Sequence, residues 1–339
     1  MKQAVLAALA AILFASTDAR AADEALIAAA KKEGSVMWYT TLIADMMARP
    51  AAAAFEKKYG IKVDFFRGDS SDLITRLDVE GKANKIQADL YDGTSGALTL
   101  KKAGFTQQWL PDIAARYPKQ YVDPEGAWIA ASLYIETMGF NTDLLKKDDL
   151  PKSYDDLLAP KWKNKLVMSG SVSAPGSGGF TGLVLTSMGH DKGLDYLRRL
   201  AGQNVAMVNA SARVVLDQVI AGEYPLSLQI LNHHVAYSSK RGAPVGWSPL
   251  NPSMAAMLVV GALKGPHPNA GRLLVDWLVS DEGQSVFRDA DYIPASPAIK
   301  ASDPTMRPDD GKFPVVYFPP EDLDRGTPEW AKIAAEVFR

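Results

Sequence analysis

Short apolar runs alternate along the chain with longer stretches in which apolar residues recur every three or four positions. Runs of the first kind are typical of buried strands, and stretches of the second kind are typical of amphipathic helices. In the amino-terminal third they predict strand, helix, strand, helix and strand in turn, over residues 35–42, 46–59, 61–68, 71–83 and 88–93. This order predicts a parallel sheet covered by helices on both faces, so the chain is expected to be of the α/β class.

The same alternation returns in the middle of the chain. It predicts three strands separated by two helices, and then one more strand and a long helix, over residues 165–170, 178–188, 205–211, 213–221, 225–230, 255–264 and 270–290. Two extended segments, 128–143 and 242–253, lie between the two series. A chain that leaves one lobe, builds a second and returns would have this order. Ligands of open α/β sheets bind beyond the carboxyl ends of the strands, so we expect a cleft between the lobes.

The division into lobes follows from these two extended segments. Residues 22–133 with 250–296 are assigned to lobe 1, and residues 134–249 with 297–339 to lobe 2. Residues 1–21 are predicted to be a secretory signal peptide, because a charged start at Lys2 precedes an apolar run and the sequence Ala19-Arg20-Ala21. Cleavage is expected near Ala21, so the mature protein is expected to be exported; the resemblance given below implies that it is periplasmic. The alternative is a membrane anchor, but the apolar run is shorter than the roughly 20 residues needed to span a bilayer.

The composition of the chain, and the motifs that it lacks, exclude several classes of function. The 339 residues include 37 basic and 39 acidic side chains, a net charge of −2, which argues against a general nucleic-acid binder. The chain contains no cysteine, which excludes cysteine nucleophiles and thiolate metal sites. It contains no GxSxG, HExxH or Walker A sequence, so we expect no catalytic residues and no cofactor.

Four segments together resemble a known family. They are MGFNTDLL (138–145), LPKSYDDLLAPKWKNKLVM (150–168), IAGEYPLSLQILNHH (220–234) and KGPHPNAGRLLVDWLVSDEGQ (264–284). In this order and spacing they resemble the periplasmic solute-binding proteins of ABC importers, in the family 1 group that contains the ferric-ion-binding proteins. The resemblance implies a type II periplasmic-binding-protein fold, with a mainly parallel sheet in each lobe and two hinge segments. It also implies a monomer that delivers its solute to a permease in the inner membrane.

The resemblance also implies that the ferric site has been replaced. The relatives bind the metal through two adjacent tyrosines, where this chain has His233 and His234, directly after Asn232. The relatives' histidine after the first strand and acidic ligand after the third strand are likewise replaced by hydroxyl residues, here Thr40, Thr41, Thr94 and Ser95. A hard trivalent cation without phenolate or carboxylate ligands would be held poorly, so iron chelation of the ordinary kind is not the expected function.

The remaining features favour an anion. Ser177, Gly178 and Gly179 form a glycine-rich turn directly before a predicted helix, and the resembling ferric-binding proteins hold an anion at the matching turn. Arg213 lies in the first turn of another helix, where a cation opposes the helix dipole but could clamp a carboxylate or phosphate. Tyr134 is expected near the hinge. The segment Arg67-Gly68-Asp69 ends a predicted strand and is assigned no other role.

The predicted ligand is therefore a small polar organic anion, either a carboxylate or a phosphate ester. The hydroxyl residues, Asn232 and the two histidines would hydrogen-bond its polar groups. Two alternatives remain open: a metal receptor that uses His233 and His234 together with a synergistic anion, and an exported hydrolase or lyase on the same fold.

Overall fold

The computed structural model describes residues 23–171 and 174–338, and in these residues eleven strands form one mixed sheet. The main path runs β2-β1-β3-β9-β4-β7-β5-β6, while β8 and β10 pair with β4, and β11 pairs with β9. The strands are β1 (Ser35–Thr40), β2 (Lys62–Arg67), β3 (Leu90–Gly93), β4 (Ile129–Asn141), β5 (Leu166–Ser169), β6 (Ala206–Val208), β7 (Leu226–Leu231), β8 (Val245–Ser248), β9 (Ser253–Ala262), β10 (Ile293–Pro294) and β11 (Val315–Phe318).

Helices cover the sheet. They are α1 (Glu24–Glu33), α2 (Arg49–Tyr59), α3 (Ser70–Lys82), α4 (Ala97–Lys102), α5 (Ser177–Met188), α6 (His190–Ala201), α7 (Ala212–Ile220), α8 (Asn232–Ser239), α9 (Pro268–Val279), α10 (Asp281–Asp289), α11 (Pro308–Gly311) and α12 (Pro320–Val337). A short π-helical turn, Ala44–Ala48, precedes α2. Single 3₁₀ turns occupy Asp112–Arg116, Lys119–Tyr121, Lys147–Asp149, Asp155–Leu158, Pro160–Trp162 and Pro304–Met306.

Two long antiparallel strands join two parallel groups. β1 pairs in parallel with β2 and β3, and β5 pairs in parallel with β6 and β7. Between these groups, β4 pairs with β9 through its first part and with β7 and β8 through its second part. Every residue of β4 and β9 is buried. The expected α/β fold is confirmed; because the sheet is continuous, the exact lobe limits stay a prediction.

The predicted long helix over 270–290 is wrong, because the structure has two helices there. Ser280 interrupts them with an extended backbone (φ −71°, ψ 164°), and its hydroxyl accepts a hydrogen bond from the Gly283 N–H at 3.2 Å. A serine followed by two acidic residues is a usual start of a helix, so the sequence contained the signal for this break.

The carboxyl-terminal helix α12 was not predicted, and it contacts both sides of the molecule. It packs along α5, and it also contacts α4 near the end of β3. The Trp330 ring lies directly on the backbone of Gly182 in α5, where an added Cβ would approach the ring to 2.4 Å. α12 therefore links α5, which follows β5, to the end of the β1–β3 group.

The predicted signal peptide, residues 1–21, lies outside the described residues. Within residues 23–171 and 174–338, we find no helix that combines the length and apolar character required of a membrane span.

Candidate binding cleft

A cleft of about 560 Å³, counting the space open to solvent, lies where the two parallel groups of strands face each other. Thr41, Arg67 and Thr94 line it from one side, at the carboxyl ends of β1, β2 and β3. Arg213 and His234 line it from the other side, in the first turns of α7 and α8. The site therefore lies where open α/β sheets bind their ligands.

A buried carboxylate fixes the first side. Asp92 in β3 accepts hydrogen bonds from the Trp38 indole at 2.8 Å, from the Thr41 N–H at 2.8 Å and from the Thr41 hydroxyl at 2.7 Å. Burial raises the pKa of Asp92 to about 6, although these donors act in the opposite direction. Because its partners are donors, the group is ionised at neutral pH and holds Thr41 at the edge of the cleft.

The amino terminus of α3 also faces the cleft. Its N-cap residue Asp69 and its first residue Ser70 both line the cleft, and no side chain caps this helix. Arg67 ends the adjacent strand β2, and its guanidinium lies 3.3 Å from the Asp69 carboxylate. Unpaired N–H groups and the helix dipole give the terminus a partial positive charge, and Arg67 offsets the negative charge of Asp69 beside it.

The second side has a similar arrangement at α7. Ser211, its N-cap residue, and Arg213 line the cleft, and again no side chain caps the helix. The Arg213 guanidinium donates to the Ser238 hydroxyl at 2.8 Å and forms an ion pair with Asp217 one turn later. Ser238 lies one turn after His234 in α8, so this contact holds Arg213 beside His234.

The two histidines have different surroundings. His234 lines the cleft, whereas His233 is fully buried, with its ring centroid 4.4 Å from that of Tyr292 and 5.1 Å from that of Tyr134. Among the described residues, neither ring nitrogen of His233 has a hydrogen-bond partner, and Nδ1 of His234 also has none.

Burial also sets the protonation of these histidines. It lowers the pKa of His233 to about 3. It also holds the pKa of His234 well below its ordinary value, helped by His233 and by the positive charges of Arg213 and Arg67. Both imidazoles are therefore neutral at pH 7.

The eleven residues predicted from the sequence fall into two groups. Thr41, Thr94, Arg213 and His234 line the cleft. The others lie near it but are absent from its described lining: Thr40, Ser95, Ser177, Gly178, Gly179, Asn232 and His233. The buried Thr40 hydroxyl accepts from the Leu42 N–H at 3.1 Å, and the Asn232 amide donates to the Met306 carbonyl at 2.9 Å. Ser95 is half-buried beside Thr94.

The glycine-rich turn has a steric reason for its glycines. Ser177, Gly178 and Gly179 begin α5 and are buried, and an added Cβ at Gly179 would lie 1.9 Å from the Ala174 carbonyl oxygen. The Ser177 hydroxyl donates to the Ser171 carbonyl at 3.3 Å, while Pro175 of the same turn lines the cleft. The close approach of backbone accounts for Gly179, and an anion at this turn stays a prediction.

Sequence reasoning missed Arg67, Ser70 and Tyr292. Arg67 ends a strand that was predicted to be parallel, and the rule that ligands bind at such ends could have found it. Tyr292 had no such signal. It lies in the turn after α10, and only the folded chain brings it to the cleft beside His233.

Comparison with known families agrees with this architecture. The sequence profile described as "Bacterial extracellular solute-binding protein" matches residues 89–318, more than half of the chain. The chain belongs to this family. The solute-binding protein is 24% identical to the Fe(3+)-binding periplasmic protein of Serratia marcescens, in an alignment covering 69% of this chain and 70% of that relative.

Solved structures show the same fold. Iron-bound HitA from Pseudomonas aeruginosa is 22% identical, with a TM-score of 0.75 over 89% of this chain and 99% of that chain. The periplasmic binding protein AfuA from Actinobacillus pleuropneumoniae, with fructose-6-phosphate bound, is 20% identical, with a TM-score of 0.75 over 89% of this chain and 97% of that chain. At these identities the likeness shows the fold and leaves the ligand open.

Membership of this family gives the general role. The solute-binding protein is the substrate-binding component of an ABC-type importer; it acts outside the cytoplasm and passes its solute to a permease. Proteins of this family bind and deliver rather than catalyse, so the family argues against a hydrolase or lyase.

Proposed function

We propose that this solute-binding protein captures a small polar organic anion, a carboxylate or a phosphate ester, and delivers it to a permease in the inner membrane. One observation carries the proposal: the uncapped amino termini of α3 and α7 face one cleft from opposite sides. Helix amino termini favour anions because their first N–H groups lack partners and the helix dipole adds to the attraction. Arg213 adds a charge-assisted donor beside one of them.

The uncharged side chains of the cleft can form hydrogen bonds with the uncharged polar groups of such a ligand. The Thr41 and Thr94 hydroxyls and the neutral His234 ring can each donate or accept a hydrogen bond. A ligand that bonds to Thr41 and Thr94 on one side and to Arg213 on the other would stabilise the closed arrangement of the lobes. AfuA supports this ligand class, because its solved structure holds a phosphate ester on the same fold.

A metal receptor is the second candidate, and one observation favours it. His233 and His234 together carry three ring nitrogens without a described partner, and the Tyr134 and Tyr292 rings lie beside them. Burial raises the pKa of both phenols, which opposes the phenolate form that a ferric ion would need. The described residues contain no group of three or more His, Asp or Glu side chains placed to hold a metal. We therefore rank the organic anion first.

Native mass spectrometry of the mature protein, purified without added metal, separates these candidates. We expect an organic adduct, which would appear as a mass difference between the native and denatured protein and would persist in chelator. A metal adduct that chelator removes would contradict the organic-anion proposal and favour the metal receptor.

Calorimetry with the identified solute then tests the cleft itself. Arg213→Ala should weaken binding by about 1.5–3 kcal/mol, because a charge-assisted hydrogen bond would be lost. Arg199→Ala is the matched control, since Arg199 is exposed on α6. Unchanged affinity in Arg213→Ala would remove this residue from the binding site.

A further inference from the structure

Two arginines face the same cleft from opposite sides. Arg67 ends β2 in the β1–β3 group, and Arg213 lies in the first turn of α7 beyond the β5–β7 group. The positive charge of each guanidinium acts on the same two rings, because both lower the pKa of His234 and oppose the rise in the pKa of Tyr292. The two cations therefore converge on one region of the cleft.

Each arginine is balanced only by a carboxylate on its own side. Arg67 pairs with Asp69 two residues later, and Arg213 pairs with Asp217 on the next turn of α7. These pairs are local in sequence, so each moves with its own part of the fold. Of the described residues that line the cleft, Asp69 is the one carboxylate. No described lining residue is therefore placed to join the two cations across the cleft.

A motion that narrows the cleft would bring these like charges closer together. Asp69 and Asp217 reduce the repulsion between the two guanidiniums; what remains grows as the separation of the guanidiniums falls, and it is stronger in a partly desolvated cleft than in water. A bound anion reverses the sign of this effect, because it attracts both guanidiniums. One negative charge can satisfy one guanidinium, whereas two negative charges can satisfy both.

We propose that Arg67 and Arg213 form a charge gate, so that the cleft closes only around a ligand with two negative charges, carried by one phosphate or by two carboxylates. This inference rests on the proposed function and adds to it the charge of the ligand and the role of Arg67. The phosphate and the dicarboxylate share the same chemistry at the two arginines, and the binding measurements below distinguish them.

The gate can be tested without any ligand by exchanging charges. The chain has no cysteine, so two cysteines introduced at the exposed positions Val79 and Leu144, one in each predicted lobe, can carry spin labels. We expect a long distance between the labels in the ligand-free protein. Arg67→Glu and Arg213→Glu should each shorten it, because opposite charges then face each other. The double variant should restore the long distance, because the charges are again alike.

Three controls make this cycle decisive. Arg67→Gln and Arg213→Gln remove charge without creating an attraction, so they should shorten the distance less than the glutamate variants. Arg199→Glu, on the exposed surface of α6, should leave it unchanged. Thermal unfolding of each variant checks that it is folded. Single variants with the distance of the original protein, or a double variant that stays as short as the singles, would overturn the gate.

Calorimetry tests the ligand charge with matched probes. Fructose 6-phosphate is compared with fructose, and succinate with its monoamide succinamate, in the original protein and in Arg67→Gln. In one of the two pairs we expect at least tenfold tighter binding of the member with two negative charges, and we expect Arg67→Gln to reduce that difference, because Arg213 alone still binds one of the two charges. The pair that shows the difference identifies phosphate or dicarboxylate as the source of the charge.

The outcomes separate this inference from the proposed function. Anion binding that Arg67→Gln does not change would overturn the gate and leave the anion receptor intact. A working charge-swap cycle in a protein that retains a neutral solute or a metal would overturn both the dianion ligand and the proposed function, while the electrostatic coupling between Arg67 and Arg213 would stand.

Discussion

His233 shows how burial controls the chemistry of a single side chain in this protein. It stands beside His234 in sequence, yet one ring lines the cleft and the other stacks in the interior against Tyr134 and Tyr292. The resemblance to the ferric-binding proteins indicated Thr41 and Thr94, and the first-turn position in a predicted helix indicated Arg213. The burial of His233 could not be predicted in the same way, because it depends on Tyr292, a residue distant in sequence.

The buried His233 should make the protein sensitive to acid. Its pKa is about 3 when folded and about 6.5 when unfolded, so below pH 6.5 the unfolded state takes up a proton that the folded state does not. This group should therefore cost about 2 kcal/mol of the free energy of unfolding at pH 5 relative to pH 7 and above. His233→Phe keeps a ring in this place and should reduce the loss by that amount, as measured by urea unfolding at both pH values.

The exposed His190 supplies the control for this measurement. His190→Phe should lose as much stability between pH 7 and pH 5 as the original protein. If His233→Phe shows the same loss, the buried neutral imidazole is not the source of the acid sensitivity.

At the scale of elements, the alternation of strands and helices was predicted well and their ends less well. Apolar runs locate β1, β3, β5 and β7 because these strands are largely buried, whereas β2 and β6 are mostly half-buried or exposed. Helix ends depend on single residues such as Ser280. The helix α12 was missed because it contains Gly326 and Pro328, which are unfavourable inside a helix. Contacts rather than propensity account for α12, through Trp330 on α5 and Asp324 on α4.

Asp324 of α12 should support the cleft from a distance. Its carboxylate accepts hydrogen bonds from the N–H groups of Gly96, Leu98 and Thr99 at the start of α4, directly after Thr94. Asp324→Ala leaves these donors unpaired and should lower the free energy of unfolding by about 1–3 kcal/mol. It should also weaken ligand binding, because the turn that carries Thr94 loses its anchor.

The test needs both readouts and an acidic control on the same helix. Glu336→Ala removes an exposed carboxylate from α12 and should change neither unfolding nor affinity. A variant Asp324→Ala that is less stable but binds the solute with unchanged affinity would show that Asp324 is structural only and does not position the Thr94 turn.

At the scale of the whole molecule, the parts on the two sides of the cleft share one sheet. β4 and β9 pair along most of their length, and each also pairs with strands of a parallel group, β4 with β7 and β9 with β3. If β4 or β9 unfolds, strands on both sides of the cleft lose a hydrogen-bonding partner. The sequence indicated one of these two strands, β4, as a connection over 128–143, but it predicted β9 as an ordinary strand and placed the second connection at 242–253, which contains β8. The pairing of β4 with β9 could not be predicted, because pairing between distant segments leaves no local pattern.

The shared sheet predicts one cooperative unfolding transition. Scanning calorimetry should give a single peak whose van't Hoff and calorimetric enthalpies agree, although a chain of this length often unfolds in stages. Two resolved peaks, or a van't Hoff enthalpy near half the calorimetric value, would show that the two parts unfold independently despite β4 and β9.

The pairing of β4 with β9 also decides what kind of joint the protein has. The hydrogen bonds between these two strands, and those to β3 and β7 on either side, resist stretching and sliding of the strands past each other. β4 and β9 therefore connect the two sides of the cleft as part of a continuous sheet, rather than as a pair of loose segments. A motion that closes the cleft must therefore bend or twist the shared sheet while its hydrogen bonds stay intact.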